Sequence, residues 1–304
     1  MTTSALLVTG ASGQLGRHVL DGLLAQKIGP IIATTRQPDQ LKDYAAKGVE
    51  VRQADFDSPN PAALAKAFSG ARRALLISTD AVGTPGRRLA QHLAALKAFE
   101  SAGVEHVVYT SVTNPKPDSQ IPVAPDHRAT EEALAASTLG FTVLRNSLYA
   151  DLALTPLQSA IASGQLVDAR ENGRAGFVTR EDCARAAAAA LAASFSGRRT
   201  LELTGPAALT SNEVAAIVSQ LSGRPVKHVS VSPEAYKAAL IEHNVPPPVA
   251  DVYVGFDVAI AAGELDVVSD AVEQLTGRPA QSFRDFLAAD ERIVHGPCES
   301  SGAR

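Results

Sequence analysis

The chain has 304 residues, which is enough for one large α/β domain and a smaller second one. Charged residues make up 20% of it and hydrophobic residues 45%, a composition typical of a soluble globular protein. The net charge of −4 is spread over interleaved acids and bases, which argues against nucleic acid as a partner.

The start of the chain and its cysteines predict a cytoplasmic protein. Residues 1–4 lead directly into an apolar strand, without the basic and apolar segments of a signal peptide. No uncharged apolar stretch approaches the ~18 residues of a membrane span. Cys183 and Cys298 make neither a disulfide framework nor a metal site, so we expect a reducing environment and no metal.

The first predicted element is an apolar strand that runs into a glycine-rich turn and a helix. Gly10 allows the turn, Gly13 lets backbone N–H groups approach a pyrophosphate, and Gly16 allows close helix packing. The N-terminus of the helix then presents unpaired N–H groups to the phosphates. The expected phosphate-binding residues are Gly10, Ala11, Ser12, Gly13, Gln14, Leu15 and Gly16. The alternative is an ordinary strand, turn and helix with incidental glycines.

Short apolar strands then alternate with helical patterns. We expect strands at 6–8, 30–35, 49–51, 74–78, 106–111 and 141–145, and helices at 41–47, 61–68, 87–102 and 127–137. This alternation predicts right-handed βαβ crossovers and a Rossmann-type, doubly wound parallel sheet of order 3-2-1-4-5-6. The dinucleotide-binding domain would cover residues 1–150.

Helical patterns dominate after residue 150, at 152–162, 181–193, 213–221 and 233–241. We predict a smaller, mostly helical C-terminal substrate domain over 151–297, with 175–204 completing the sheet domain and 298–304 forming a tail. Gly223 and Gly277 are each followed by Arg-Pro and are expected to stop their helices. The alanine run 186–190 indicates a tightly packed helix.

The end of the second strand indicates which dinucleotide is bound. An acid there usually holds the ribose 2′-hydroxyl of NADH, but this strand ends in Thr34-Thr35-Arg36. A guanidinium at this point can hold a 2′-phosphate, so we predict NADPH. A solvated arginine is the alternative reading of Arg36. Asp55 and Phe56, just after the third strand, are placed to border the adenine. Alternatively, Asp55 is an acid at the start of a helix and Phe56 is an aromatic residue of the core.

With Gly10 to Gly16, Arg36, Tyr109-Thr110-Ser111 and Leu144 to Tyr149 placed, the chain resembles the NmrA-like atypical short-chain dehydrogenases/reductases. Within this group it looks most like the branch of NAD(P)H:quinone oxidoreductases and triphenylmethane reductases. The resemblance implies that Arg36, Asn146, Tyr149 and Arg180 help to hold NADPH. A salt bridge at the start of a helix is the alternative for Arg180. Ser78 and Thr110 complete the expected cofactor set.

The Tyr-x-x-x-Lys pair of ordinary members is absent, because none of the five tyrosines has a lysine four residues on. On the corresponding helix stand His127 and Glu131, where the carboxylate could orient the imidazole and His127 could act as an acid near neutral pH. A surface ion pair at the start of the helix is the alternative for His127. Tyr149 is the other candidate catalytic residue, lining the nicotinamide pocket. Loops near Val82, 113–123 and Tyr149 are expected to form the wall of the substrate site.

The missing donor favours an acceptor that needs no strong acid. Hydride delivered to a quinone leaves a phenolate-like anion, and because the pKa of a phenol is about 10, water can protonate it later. A cationic triarylmethane dye is simply neutralised by hydride. We therefore predict an NADPH-dependent reductase of quinones or similar small aromatic acceptors. The alternative is a non-enzymatic regulator that senses NADP(H). A sugar-like substrate is disfavoured because the Tyr-x-x-x-Lys pair is missing. The protein could also form a homodimer.

Overall fold

A computed structural model describes residues 4–81 and 84–294. The predicted tail 298–304 and Val82, in a loop expected to border the substrate, lie outside the described residues. The strands in chain order are β1 (Ala5–Val8), β2 (Ile31–Thr35), β3 (Glu50–Gln53), β4 (Ala71–Leu76), β5 (His106–Val112), β6 (Gly140–Asn146), β7 (Gln165–Asp168), β8 (Arg174–Ala175), β9 (Arg198–Leu203), β10 (Leu209–Thr210) and β11 (Lys227–Ser230).

The helices alternate with these strands up to β6 and predominate afterwards. They are α1 (Gln14–Ala25), α2 (Lys42–Ala45), α3 (Pro61–Phe68), α4 (Arg87–Ala102), α5 (Ala124–Ala136), α6 (Leu154–Ser163), α7 (Arg180–Ala192), α8 (Ser211–Ser222), α9 (Pro233–Glu242), α10 (Pro247–Ala261), α11 (Ala271–Thr276), α12 (Phe283–Ala288) and α13 (Glu291–Val294). Short 3-10 turns at Pro38–Leu41 and Ala150–Ala153 precede α2 and α6. In the described residues, none of the helices combines the length and apolar character needed to cross a membrane.

A parallel sheet of seven strands forms the centre of the molecule. Its order is β3-β2-β1-β4-β5-β6-β9, and every neighbouring pair is parallel. The Rossmann-type fold and the predicted order of the first six strands are confirmed. The seventh strand, β9, comes from the segment 175–204 and lies beside β6. Because the strands are parallel, all their carboxyl ends meet at one edge, where this fold binds its ligands.

Both faces of the sheet are covered by helices, and its inner strands β2 and β5 are buried along their whole length. One core lies between the sheet and α1 and α7, and the other between the sheet and α3, α4 and α5. The alanine run of α7 is buried against the first of these cores. Small side chains let α1 and α7 approach closely, since a Cβ on Gly22 would lie 3.8 Å from the Cβ of Ala188.

The C-terminal part forms a third core with α6, α8, α10, α12 and α13. Two small sheets accompany it, β10 antiparallel to β8 and β11 parallel to β7. The helices α8 and α11 end at Gly223 and Gly277, with φ of +68° and +70°, as predicted for glycine stops. The boundary between the two domains at residue 150 stays a prediction.

Candidate active site

The glycine turn between β1 and α1 is shaped for a ligand's backbone contacts. Gly10 has a φ of +59°, which favours glycine. A Cβ on Gly16 would lie 2.5 Å from the carbonyl oxygen of Gly10, and one on Gly13 would lie 3.3 Å from the same atom. No side chain caps α1. Its first amides therefore keep the open donor positions that bind phosphate.

The other residues of this turn hold it in place or reach a ligand only through the backbone. Ala11 and Leu15 point into the core, whereas Gln14 is exposed. The Ser12 hydroxyl lies 2.8 Å from that of Thr35, at the end of β2. Arg17, which the sequence interpretation passed over, donates to the carbonyls of Ser12 and Gln40 and so ties the turn to the segment after β2.

Arg36 follows β2 directly and is exposed. Within residues 4–81 and 84–294 its guanidinium makes no salt bridge, so it is available for an anionic ligand group. The carboxylate of Asp55 accepts the amide of Asp57, and α3 is capped instead by Asn60. Phe56 packs edge-to-face on Phe68, 6.4 Å between ring centres, and is therefore at least partly a core aromatic.

The ends of β4 and β5 meet through their hydroxyl groups. The amide of Ser78 donates to the Thr110 hydroxyl at 2.9 Å, and that hydroxyl lies 3.4 Å from the Ser78 hydroxyl. Thr110 is buried and Ser78 is half-buried. The two predicted positions are therefore neighbours at the carboxyl edge of the sheet.

Asn146, Tyr149 and Arg180 form a second group at the end of β6. The amide nitrogen of Asn146 donates to the Tyr149 hydroxyl at 2.9 Å, and the Arg180 guanidinium lies 4.9 Å from the centre of the Tyr149 ring. Arg180 also faces the carboxylate of Asp151 at 3.5 Å, so it makes the salt bridge considered as the alternative. Burial raises the pKa of the Tyr149 hydroxyl, which makes it a poor proton donor.

One atom of this group lacks a partner. The carbonyl oxygen of the Asn146 side chain is buried and accepts no hydrogen bond from the described residues. A buried acceptor without a donor is costly unless a ligand or water supplies one. An amide or hydroxyl donor of a dinucleotide would satisfy it. Together with the uncapped helix and the exposed Arg36, the residues present fit NADPH.

His127 is buried and does not contact Glu131, contrary to the expected pairing. His127 is only 4% exposed, with Nδ1 2.7 Å from the Tyr109 hydroxyl and Nε2 3.2 Å from Nη1 of Arg88. Burial, with Arg88 and then His92 adding to it, holds the pKa of His127 well below its usual value. At neutral pH His127 is thus an uncharged, enclosed imidazole and does not form the surface ion pair considered as the alternative; a catalytic role for it stays a prediction.

Glu131 does not contact His127 but binds elsewhere. Its carboxylate accepts the Ser111 hydroxyl at 2.6 Å and two hydrogen bonds from Arg145, at 2.7 and 3.0 Å. Arg145 also reaches Glu202 at 3.2 Å. Burial raises the pKa of Glu202. The predicted pair fails because Arg145 of β6 supplies a bidentate cation for the carboxylate, while Tyr109 and Arg88 occupy the two nitrogens of His127.

The loop 113–123, expected to form part of the substrate wall, is fixed by the C-terminal part of the chain. The buried carboxylate of Glu264 accepts the Ser119 hydroxyl and the Gln120 amide, at 2.5 and 2.9 Å. A Cβ on Gly255 of α10 would lie 2.4 Å from Cγ of Pro122. Sequence reasoning missed these contacts, since no local signal joins residues so distant in the chain.

The fold and this site define a protein that binds a pyridine dinucleotide, and the chain belongs to the NAD(P)H-binding family, whose profile matches residues 10–194. It is similar to quinone oxidoreductase 2 of Escherichia coli, with 33% identity over 93% of this chain and 97% of that protein. A crystal structure of that enzyme with NADPH has a TM-score of 0.86 and covers 92% of this chain and 98% of its own.

Two further relatives are also oxidoreductases. The triphenylmethane reductase of a Citrobacter species, in complex with NADP(H), is 35% identical, with a TM-score of 0.85 over 92% of this chain and 98% of that chain. An NmrA-like family domain-containing oxidoreductase of Aspergillus flavus is 27% identical over 92% of this chain and 93% of that protein. The chain is thus an NAD(P)H-dependent oxidoreductase of the NmrA-like group, in the branch of the quinone and triphenylmethane reductases, and the resemblance is confirmed.

Proposed function

We propose that the protein transfers hydride from NADPH to a quinone or a similar electron-poor aromatic acceptor, without a strong general acid of its own. Bound NADPH would supply the hydride. The amides at the start of α1 would hold the pyrophosphate, and Arg36 would hold the 2′-phosphate. Asn146 and Tyr149 would line the nicotinamide, with Arg180 against the tyrosine ring.

One observation carries this proposal. The two side chains predicted as catalytic, His127 and Tyr149, are each unsuited to giving up a proton at neutral pH. His127 is uncharged and has both nitrogens occupied. Burial raises the pKa of the Tyr149 hydroxyl.

The acceptor class follows from the chemistry of the product. A reduced ketone is a strongly basic alkoxide and needs a proton as it forms, whereas a reduced quinone is a phenolate with a conjugate acid of pKa about 10. Water can protonate that anion after hydride transfer. The names of the relatives support this class, because they include a quinone oxidoreductase and a triphenylmethane reductase.

The test is a single-turnover reaction of the protein with NADPH deuterated at the transferred position and benzoquinone. We expect a primary isotope effect on NADPH oxidation, an absorption spectrum of the purified protein without flavin, and loss of the reaction in the Gly13→Val variant. Tight NADPH binding without oxidation by any quinone, dye or aldehyde would instead support a sensing role. Turnover without an isotope effect in the single-turnover phase would contradict direct hydride transfer.

A further inference from the structure

A set of buried polar side chains lies between β5 and the first turns of α4 and α5, and the proposed function does not use it. We call it the α4–α5 cluster; its members are Arg88, His92, Tyr109, His127 and Thr130. All five are 6% exposed or less. The rings of His92 and His127 have centres 6.3 Å apart, and that of Tyr109 lies within 6 Å of both.

The hydrogen bonds of the cluster fix the proton positions on both histidines. The amide of Thr79 donates to Nε2 of His92 at 3.1 Å, and Nη1 of Arg88 lies 3.2 Å from Nε2 of His127. Amides and guanidinium groups can only donate, so both Nε2 atoms accept and both rings carry their proton on Nδ1. His92 then donates to the Thr130 hydroxyl at 2.9 Å, and His127 donates to the Tyr109 oxygen.

In the part of the chain that the structure describes, this accounting leaves the Tyr109 O–H without an acceptor, because both neighbouring Nδ1 atoms carry a proton, and it leaves two further buried donors unused at the carboxyl edge of β4. Among the described residues, neither Nε of Arg88 nor the hydroxyl of Thr79 has a hydrogen-bond partner. The two residues are held by the same cluster, Arg88 through His127 and Thr79 through His92. A buried donor without an acceptor costs free energy, so a pair of them at one edge points to an acceptor supplied from outside.

The charges around Arg88 identify the kind of acceptor. Arg88 is the second residue of α4 and contacts the first turns of α5, so its cation lies in the positive fields of two helix N-termini. No carboxylate of the described residues forms a salt bridge with it, and Asp126 and Asp80 act on it only from a distance. Burial lowers the pKa of this guanidinium. An anion at this point would interact favourably with both helix N-termini and would compensate the buried positive charge of Arg88.

We propose that Arg88 and Thr79 form a binding site for an anionic oxygen of the acceptor, the oxygen that gains charge when hydride arrives. This inference rests on the proposed function. In the balanced step, bound NADPH would give a hydride to the quinone and become NADP⁺. The electron pair of one quinone C=O π bond would move onto its oxygen, which becomes an oxyanion. The Arg88 Nε–H and the Thr79 O–H donate to that oxygen until water protonates it.

The experiment compares the parent protein with Arg88→Met and Thr79→Val, and with Arg128→Met as the control. Arg128 lies on α5 next to His127 and pairs with Glu132 on the surface, while its own Nε, like that of Arg88, has no partner among the described residues. Its replacement therefore removes an equal charge and an equally unpartnered Nε outside the cluster. The probe is 4-nitrophenol, titrated by absorbance against protein saturated with NADP⁺. We expect Arg88→Met to lose about 10²-fold in kcat with benzoquinone, as for an oxyanion donor, and Thr79→Val a smaller factor.

We also expect bound 4-nitrophenol to ionise at lower pH in the parent and in Arg128→Met than in Arg88→Met, by about one pH unit. The melting temperature of Arg88→Met should equal or exceed that of the parent, because an unpaired buried charge is removed. If Arg88→Met does not fold, the proposed role of Arg88 in binding the oxyanion is wrong. The kcat and the 4-nitrophenol titration of Thr79→Val then decide whether the site exists.

Three results would overturn the inference. Weaker NADP⁺ binding in Arg88→Met with unchanged 4-nitrophenol ionisation would place the anion on the cofactor. A clear loss of melting temperature with normal kcat would make Arg88 structural. An unchanged nitrophenol titration in both variants would remove the site. A parent protein that binds 4-nitrophenolate through Arg88 but reduces no quinone would contradict only the proposed function.

Discussion

Replacing Arg36 with alanine should convert a preference for NADPH into near indifference between NADPH and NADH. The guanidinium stands at the end of β2 where an acid would hold a ribose hydroxyl, and it is exposed and without a salt bridge among the described residues. A hydrogen bond to a charged partner contributes about 1.5–3 kcal/mol. At 1.4 kcal/mol for each factor of ten, the dissociation constant for NADPH should rise about 10- to 150-fold.

The dissociation constant for NADH should change by less than about twofold, because NADH has no 2′-phosphate for Arg36 to bind. Both constants can be measured by the fluorescence of the bound reduced cofactor. Lys42→Ala is the matched control, since Lys42 carries the same charge in the same segment but is paired with Asp39 on the surface. Equal constants for the two cofactors in the parent protein, or an equal loss in Lys42→Ala, would refute the reasoning.

The other predictions concern the glycine turn, acid stability and the tyrosine at the nicotinamide pocket. Gly13→Val should abolish cofactor binding with little change in melting temperature, and binding retained in this variant would contradict the placement of the site. Gly16→Ala should lower stability because its Cβ meets backbone at 2.5 Å. Gly22→Ala, whose Cβ would lie 3.8 Å from its nearest neighbour, should not lower stability. Burial, chiefly, holds the pKa of His92 at about 3 and of His106 at about 4, and that of His127 well below its usual value. The unfolded chain takes up protons at these histidines below about pH 6.5 and the folded chain does not. Their contribution to stability should therefore be constant above that pH and fall below it, by about 2 kcal/mol at pH 5 for each of His92 and His106. Urea titrations at pH 7.5 and 5 check this, and His106→Gln should show a shallower fall. Tyr149→Phe should keep measurable activity, because the tyrosine is expected to line the nicotinamide pocket without giving a proton. Complete loss of turnover with cofactor binding intact would show that the Tyr149 hydroxyl is the proton donor.

The sequence by itself determined the backbone of the site. A positive φ at Gly10 and the absence of room at Gly16 are local requirements that only glycine meets, so the turn could be recognised from three residues. The alternation of strands and helices likewise determined the order of the first six strands, since right-handed crossovers leave few arrangements. The place of Arg36 followed from its position after β2.

Only the tertiary structure decided which side chains meet. The partners of His127 come from α4 and β5, 39 and 18 residues away, and those of Glu131 come from β5 and β6. A helical repeat of four residues put His127 and Glu131 on one face, but packing gave each of them a different neighbour. The charge and the protonation of a side chain depend on burial and on such neighbours, and these are properties of the packed molecule that no local pattern carries.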